Sequence, residues 1–179
     1  MKTRTMTLAA LFAALTAVFS QIAIPLPGLV PINLAPLAVF LAGALLGAQW
    51  GAISVIVFVL LGFMGVPVFS GLRAGPGVLL GPTGGYLIGF IVTALLVGLL
   101  LKLRPVQWML PVSMFVGLAV CYALGTAWYM YATQTALLPA LFGCVLPFLP
   151  GDALKILAAT LVARRVGILR YAPTARRNM

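Results

Sequence analysis

Pro147-Phe-Leu-Pro-Gly-Asp-Ala-Leu-Lys155, continuing through Ile-Leu-Ala-Ala-Thr-Leu-Val-Ala to Arg164 and Arg165, is an apolar run of nearly membrane-spanning length, broken only by one acid and one lysine. Asp152 is the only acidic residue among 179. An ion at membrane depth is costly, so a lone carboxylate in such a run marks a functional site with a nearby partner. Lys155 stands three residues on, one helical turn away and on the same face. With Arg164 as the inner boundary, the twelve intervening steps at about 1.5 Å each lift Asp152 roughly 18 Å, in an apolar core about 30 Å thick. That leaves it about 12 Å below the opposite surface, where a carboxylate has to face protein or a water-filled pocket. Pro150 and Gly151 stand where the helix begins, so Asp152 falls in the first turn, where the macrodipole favours negative charge. Two uses fit the pair: an internal ion pair, or a carboxylate and an ammonium presented to a ligand that carries both donors and acceptors. A merely structural position would be filled as well by leucine, so the second is the sharper expectation.

The rest of the chain has the same character. It is 64% hydrophobic and 7% charged, with a mean hydropathy of +1.22, a composition that no soluble domain of this length carries without aggregating. We expect an integral membrane protein in contact with the lipid bilayer. There is no histidine and only one acid, which removes histidine-dependent nucleophilic catalysis, paired-carboxylate glycoside chemistry and acidic metal clusters. The expectation is no enzyme, no cofactor and no metal. Cys121 and Cys144 lie in apolar context without metal-ligand spacing and read as small buried hydrophobes.

A net charge of +10 raises the question of nucleic acid, but such binding needs lysine and arginine spread over a soluble face. Here they gather at segment ends: Lys2 and Arg4 before the first apolar run, Lys102 and Arg104 in one short connection, and Arg164, Arg165, Arg170, Arg176 and Arg177 after the last. That is the positive-inside pattern, and no nucleic-acid partner is expected. The basic start followed by an apolar stretch reads as the first span rather than a cleavable signal peptide, because further spans follow it.

Apolar runs broken by glycine, proline and charge place spans near 6–24, 33–49, 51–65, 82–101, 108–131 and 150–166, the third of them short. A spanning helix takes about 20 residues, so six of them use most of the chain. The expected fold is an all-α integral membrane protein of six transmembrane helices, a single domain over 1–179. Six spans put both termini on one side, and nine of the eleven basic residues choose the cytoplasm for it. Arg73 then falls in an outer connection and Lys155 within a span. Two outer connections stand out. Residues 25–36 carry Pro25, Pro27, Gly28, Pro31 and Pro36, a rigid non-helical cover. Residues 62–89 hold nine of the nineteen glycines, and irregular backbone near a bilayer persists only where protein or a wet cavity satisfies it. This segment is expected to line a cavity open to the outside.

Within it, Gly81-Pro-Thr-Gly-Gly-Tyr86 combines glycines that allow close backbone approach with a proline suited to opening a helix. It lacks the Gly-Lys-Ser/Thr ending of a phosphate loop, and no other acid is available for magnesium, so no nucleotide site is expected. With Tyr86 behind it, the motif suits a flat ligand or serves as backbone punctuation. On the first span, Ala9, Ala13 and Ala17 recur every four residues with Ala10 and Ala14 beside them. Small residues so spaced allow close helix packing, either within the chain or against a partner subunit.

Taken together, Gly65-Val-Pro-Val-Phe69, Gly81-Pro-Thr-Gly-Gly-Tyr86, and Pro147-Phe-Leu-Pro-Gly-Asp152 with Lys155 resemble the BioY family, the biotin-binding S components of energy-coupling factor (ECF) transporters. The resemblance covers roughly residues 7–166. It implies a six-helix S-component fold in a bacterial or archaeal cytoplasmic membrane that captures biotin from outside, working with a transmembrane coupling subunit and a pair of ABC ATPases. It further implies that Asp152 and Lys155 contact the ligand, that the segment with Gly84, Gly85 and Tyr86 forms pocket wall, and that the Ala9, Ala13 and Ala17 stripe docks the coupling subunit. Two departures accompany it. Where the family often shows Thr-Leu-Gln, this chain has Asn33-Leu-Ala35, leaving Asn33 to substitute for the glutamine, and Arg73 stands in a stretch more often small. Arg73 either reaches a ligand carboxylate or faces water.

Biotin suits these residues chemically: ureido N–H donors for Asp152, a ureido or valerate oxygen for Lys155, and fused rings for Phe69, Tyr86 and aliphatic walls. A cationic vitamin such as thiamine would call for several acids, which this chain lacks. The alternatives are an S component for another vitamin, thiamine or riboflavin, an intramembrane enzyme, disfavoured by the missing histidines and acids, and a purely structural membrane subunit, which leaves the Asp152 and Lys155 pair unexplained.

Overall fold

The computed structural model describes residues 2–24 and 30–166. Pro25, Pro27 and Gly28 of the first proline-rich connection, and Arg170, Arg176 and Arg177 of the basic tail, lie outside the described residues. The chain runs α1 (Lys2–Gln21), β1 (Ala23–Ile24), β2 (Ile32–Asn33), α2 (Ala35–Phe63), α3 (Pro76–Leu80), α4 (Gly84–Leu103), α5 (Met109–Thr133), α6 (Leu137–Cys144) and α7 (Leu149–Val166). Among the described residues four helices, α1, α2, α4 and α5, are long and apolar enough to cross a membrane. A fifth crossing follows if α6 and α7, bent by 49° across a short break, are taken as one broken span. The protein is mostly helical and multi-pass.

The expected spans 33–49 and 51–65 are joined in the single element α2, which leaves helical geometry at Gly47 (φ 79°, ψ 178°). In a straight helix, residues eight apart are about 12 Å from each other. A Cβ placed on Gly51 would instead lie 2.8 Å from Gly43 Cα and 2.9 Å from the Ala42 carbonyl oxygen. The chain therefore folds back on itself at Gly47, and only a residue without a side chain accepts that positive φ freely. The two limbs pack on α4, where a Cβ on Gly43 would sit 2.5 Å from Ala94 O and one on Gly98 would run into the backbone of Gly47 and Ala48. Small residues at these crossings bring the backbones together, as expected where lipid supplies no hydrophobic drive between helices.

The order of packing is α1 on α2, α2 on α4, and α4 on α5, with α7 laid against α2 and α5. Two apolar clusters fill the interior. One, around Val39, Phe58, Phe69, Tyr86, Phe90 and Phe148, lies toward the end where α1 finishes and α4 begins. The other, around Phe40, Val97, Met114 and Ala159, fills the opposite half.

The fold departs from a purely helical expectation at the first end. β1 and β2 pair antiparallel, Ala23 opposite Asn33 and Ile24 opposite Ile32, so the segment expected as a non-helical cover is in part a small ribbon. Pro36 sits in the first turn of α2, where its missing N–H is no loss. Asn33 Oδ1 accepts from Ala35 N at 3.1 Å, satisfying one of the orphan donors at that helix start. Residues 64–75 are irregular as expected, with positive φ at Gly65, Gly71, Leu72 and Gly75. This segment is tied to the end of α1: Ser20 Oγ donates to Val68 O, Gln21 Nε2 donates to Phe69 O at 3.1 Å, and Leu72 N donates to Gln21 Oε1 at 3.0 Å. Two positions of the alanine stripe face inward: Ala9 and Ala13 are only 4% and 2% exposed, as α1 turns that face onto its own bundle. Ala17 is half-buried, while Ala10 and Ala14 are exposed.

Candidate functional site

Asp152 occupies the first turn of α7, where its backbone N–H donates to Phe148 O at 2.8 Å. Its side chain is 2% exposed and that of Lys155 6%. The i,i+3 spacing brings Lys155 Nζ to 2.5 Å from Asp152 Oδ1. The second oxygen is also engaged, because Tyr122 of α5 donates its hydroxyl to Asp152 Oδ2 at 2.5 Å. A buried ion pair needs such additional hydrogen bonds to offset the loss of hydration.

These three residues line one cavity together. Like small-molecule sites in general, it is mostly apolar with a few placed polar groups. Phe58, Phe69, Tyr86, Phe90, Leu118 and Phe148 supply the apolar surface. Phe58 and Phe69 meet edge to face, with ring centroids 5.5 Å apart, and Phe69 can lie there because Gly62 has no side chain beneath its ring. Ser20, Asn33, Ser70, Arg73 and Thr83 add polar groups.

Of the residues singled out from the sequence, Asp152, Lys155, Tyr86, Phe69, Asn33 and Arg73 come together around this one cavity. Their available chemistry differs. The Tyr86 hydroxyl donates to Cys144 O at 3.0 Å, so the ring is what it turns to the cavity. Asn33 is largely occupied, its Nδ2 donating to Ser70 Oγ at 2.7 Å while its oxygen caps α2. Arg73 is exposed and its Nε donates to Ser70 O at 3.1 Å. The chain's single acidic side chain is already held by Lys155 and Tyr122, so none is left to neutralise Arg73. Lys155 and Asn33 also line a second, more apolar cavity between the ribbon and α7.

Gly84 and Gly85 do not line the cavity. Gly84 lets the α3 backbone approach, where a Cβ would strike Leu79 O, and Gly85 seats α5, where a Cβ would strike the Trp128 side chain and come to 2.8 Å from Leu124 O. Trp128 Nε1 then donates to Gly81 O at 2.9 Å. The glycines position Thr83 and Tyr86 without touching the space themselves. Among the described residues no three metal-ligating side chains gather, and Cys121 and Cys144 are free and buried.

Sequence reading missed Tyr122, Trp128 and Phe148. Tyr122 carried a signal, since a buried tyrosine hydroxyl in an apolar span has to find a partner, but which partner depends on how α5 faces α7.

Comparison with known proteins agrees with the motifs. The family model for the BioY family matches residues 1–171. A biotin transporter BioY from Thermotoga maritima is 41% identical over 162 residues, covering 88% of this chain and 92% of that protein. One from Rhodobacter capsulatus is 38% identical over 185 residues, covering 96% of each. These relatives are transporters rather than enzymes, in line with the missing histidines and acids. The crystal structure of the S-component for biotin from an ECF-type ABC transporter superposes with a TM-score of 0.86 at 31% identity, over 92% of this chain and 91% of that one. A match that spans nearly the whole chain in family model, sequence and fold leaves one assignment: the chain belongs to the BioY family.

Proposed function

We propose that this protein is a biotin-capturing S component that binds the vitamin in the cavity above Asp152 and Lys155 and performs no covalent chemistry on it. The observation that carries this reading is a buried, hydrogen-bonded Asp–Lys pair at the base of an apolar cavity, in a chain whose solved relative is an S-component for biotin. One ureido N–H takes a free lone pair of the Asp152 carboxylate, and a spare Lys155 N–H meets the ureido oxygen. The fused rings lie among Phe58, Phe69, Tyr86 and Phe148, and the valerate carboxylate points to Arg73, the cation with no acidic side chain to neutralise it. Apolar contact supplies most of the affinity and the polar groups the selectivity.

The chain is a single membrane unit with six spans. The two limbs of α2 that meet at Gly47 count as two short crossings beside α1, α4, α5 and α7. The reversal and the positive ends support this count: Lys2 and Arg4, Lys102 and Arg104, and Arg164 and Arg165 then share the cytoplasmic side of a bacterial or archaeal cytoplasmic membrane. Energy for uptake comes from a separate ECF module, a transmembrane coupling subunit with a pair of ABC ATPases. The exposed α1 face with Ala10 and Ala14, rather than the buried Ala9 and Ala13, is the surface offered to it.

Native mass spectrometry of the purified full chain, together with titration calorimetry against biotin, tests the reading. A biotin adduct recovered chemically unchanged, with saturable heat, is expected. Absence of both, in protein shown to be folded, overturns it.

A further inference from the structure

We propose that Tyr122 is the positioning residue of this site: by holding Asp152 Oδ2 from a different helix, it fixes the carboxylate plane and so the direction in which its remaining lone pairs are offered to a ligand. The inference rests on the biotin reading above. Lys155 and Asp152 share α7 and contact each other through Oδ1. Left to themselves, the two would form an intrahelical pair in which the carboxylate turns both oxygens toward the ammonium, since a lysine has three donors and a carboxylate about four lone-pair sites. That arrangement also leaves two lone pairs free, but with nothing from another helix to set the direction in which they face.

The Tyr122 hydroxyl comes from α5 and donates to the oxygen that Lys155 does not hold. Each oxygen then carries one protein donor and keeps a second lone pair. The anchor is itself well placed. On the adjacent residue, Cys121 Sγ donates to Tyr86 O at 3.8 Å, and Tyr86 and Tyr122 line the same cavity, so the helix that aims the hydroxyl also builds the apolar wall. Tyr122 has a single proton, given to Asp152, so it has none to offer a ligand acceptor; it acts through the carboxylate. Charge-assisted hydrogen bonds of this kind are short and strongly directional.

The composition of the chain makes the idea directly observable. With one acidic residue in the sequence, the infrared carboxylate bands of ¹³C-aspartate-labelled protein report Asp152 and no other acidic side chain. In Tyr122→Phe those bands shift before any ligand is added, and biotin affinity falls about tenfold, part of the effect of losing a charge-assisted hydrogen bond. In an Asp152→Asn background the same Tyr122→Phe change alters affinity by less than about twofold, because no carboxylate remains to be oriented. Unshifted carboxylate bands in Tyr122→Phe overturn the proposal, as does an additive loss in the double variant. If the wild type binds no biotin, the ligand assignment fails, while the ligand-free infrared comparison still decides whether Tyr122 sets the carboxylate. Should Tyr122→Phe not fold, 3,5-difluorotyrosine at position 122, which keeps the ring and strengthens the donor, must shift the same bands, and unmoved bands refute the role.

Discussion

Replacing Asp152 by asparagine separates binding from folding at this site. The side chain keeps its size but loses its charge, and one of its two oxygens becomes a donor group facing Lys155 or Tyr122. A hydrogen bond to a charged group contributes about 1.5–3 kcal/mol, so biotin affinity should fall roughly 10- to 100-fold at about 1.4 kcal/mol per decade. Folding suffers separately. Asp152 and Lys155 are 2% and 6% exposed, and removing one member of a buried pair costs about 3–5 kcal/mol because a charge is left uncompensated. The pair borders a cavity rather than sitting in close-packed core, so we take the lower end, about 3 kcal/mol. Removing both charges in Asp152→Asn with Lys155→Met should restore much of that stability and none of the affinity. Titration calorimetry reads the first quantity and thermal unfolding of purified protein in one fixed detergent the second. Biotin affinity within about twofold of wild type in Asp152→Asn refutes the acceptor role, since even a weak hydrogen bond is worth more than that. Recovery of binding in the double variant would show instead that the charges are structural only.

Three further outcomes follow from the geometry. Arg73→Gln should weaken biotin about tenfold, the lower range for an interaction with a charged group, while leaving biotin amide almost unaffected; equal losses for both ligands would place Arg73 away from the carboxylate. Gly98→Val puts a side chain into the Gly47–Ala48 backbone and should lower stability by about 1–3 kcal/mol, seen as a lower unfolding midpoint; an unchanged midpoint would contradict the close approach of α2 and α4. Ala13→Leu should destabilise the folded chain by a similar overpacking cost, whereas phenylalanine at both Ala10 and Ala14 should leave folding and biotin binding intact and abolish ATP-driven uptake in vesicles containing the ECF module. Intact uptake in the latter variant would move the partner surface elsewhere.

The site was legible in the sequence to the extent that its chemistry is rare. One acid with a lysine one turn on, in a run too apolar for either, can be found without coordinates because membrane burial makes such residues expensive. Aromatic and glycine positions were less informative. Phe69 and Tyr86 line the cavity, yet Gly84 and Gly85, read from the same motif, pack against Trp128 instead, because a glycine permits close approach by anything and does not say by what. The alanine stripe was ambiguous for the same reason: Ala9 and Ala13 are covered by this chain's own helices, and nothing in a four-residue repeat distinguishes an internal neighbour from an external one. The short helix α6 was passed over because its eight residues are far below spanning length.

Hydrophobic content, the placement of lysines and arginines, and the isolation of Asp152 are local properties, and each follows from the cost of moving polar groups into lipid. They determined that the protein is a multi-pass membrane protein, that most enzyme chemistry is closed to it, and that the acid at residue 152 needs a partner. The reversal at Gly47, the internal burial of the α1 stripe and the hydrogen bond from Tyr122 to Asp152 depend on which helix faces which. That is decided by backbone approach and side-chain fit between segments far apart in the chain. Asp152 and Lys155 could be paired on paper because they share a helix; Tyr122, thirty residues away, joins them only once α5 and α7 have packed.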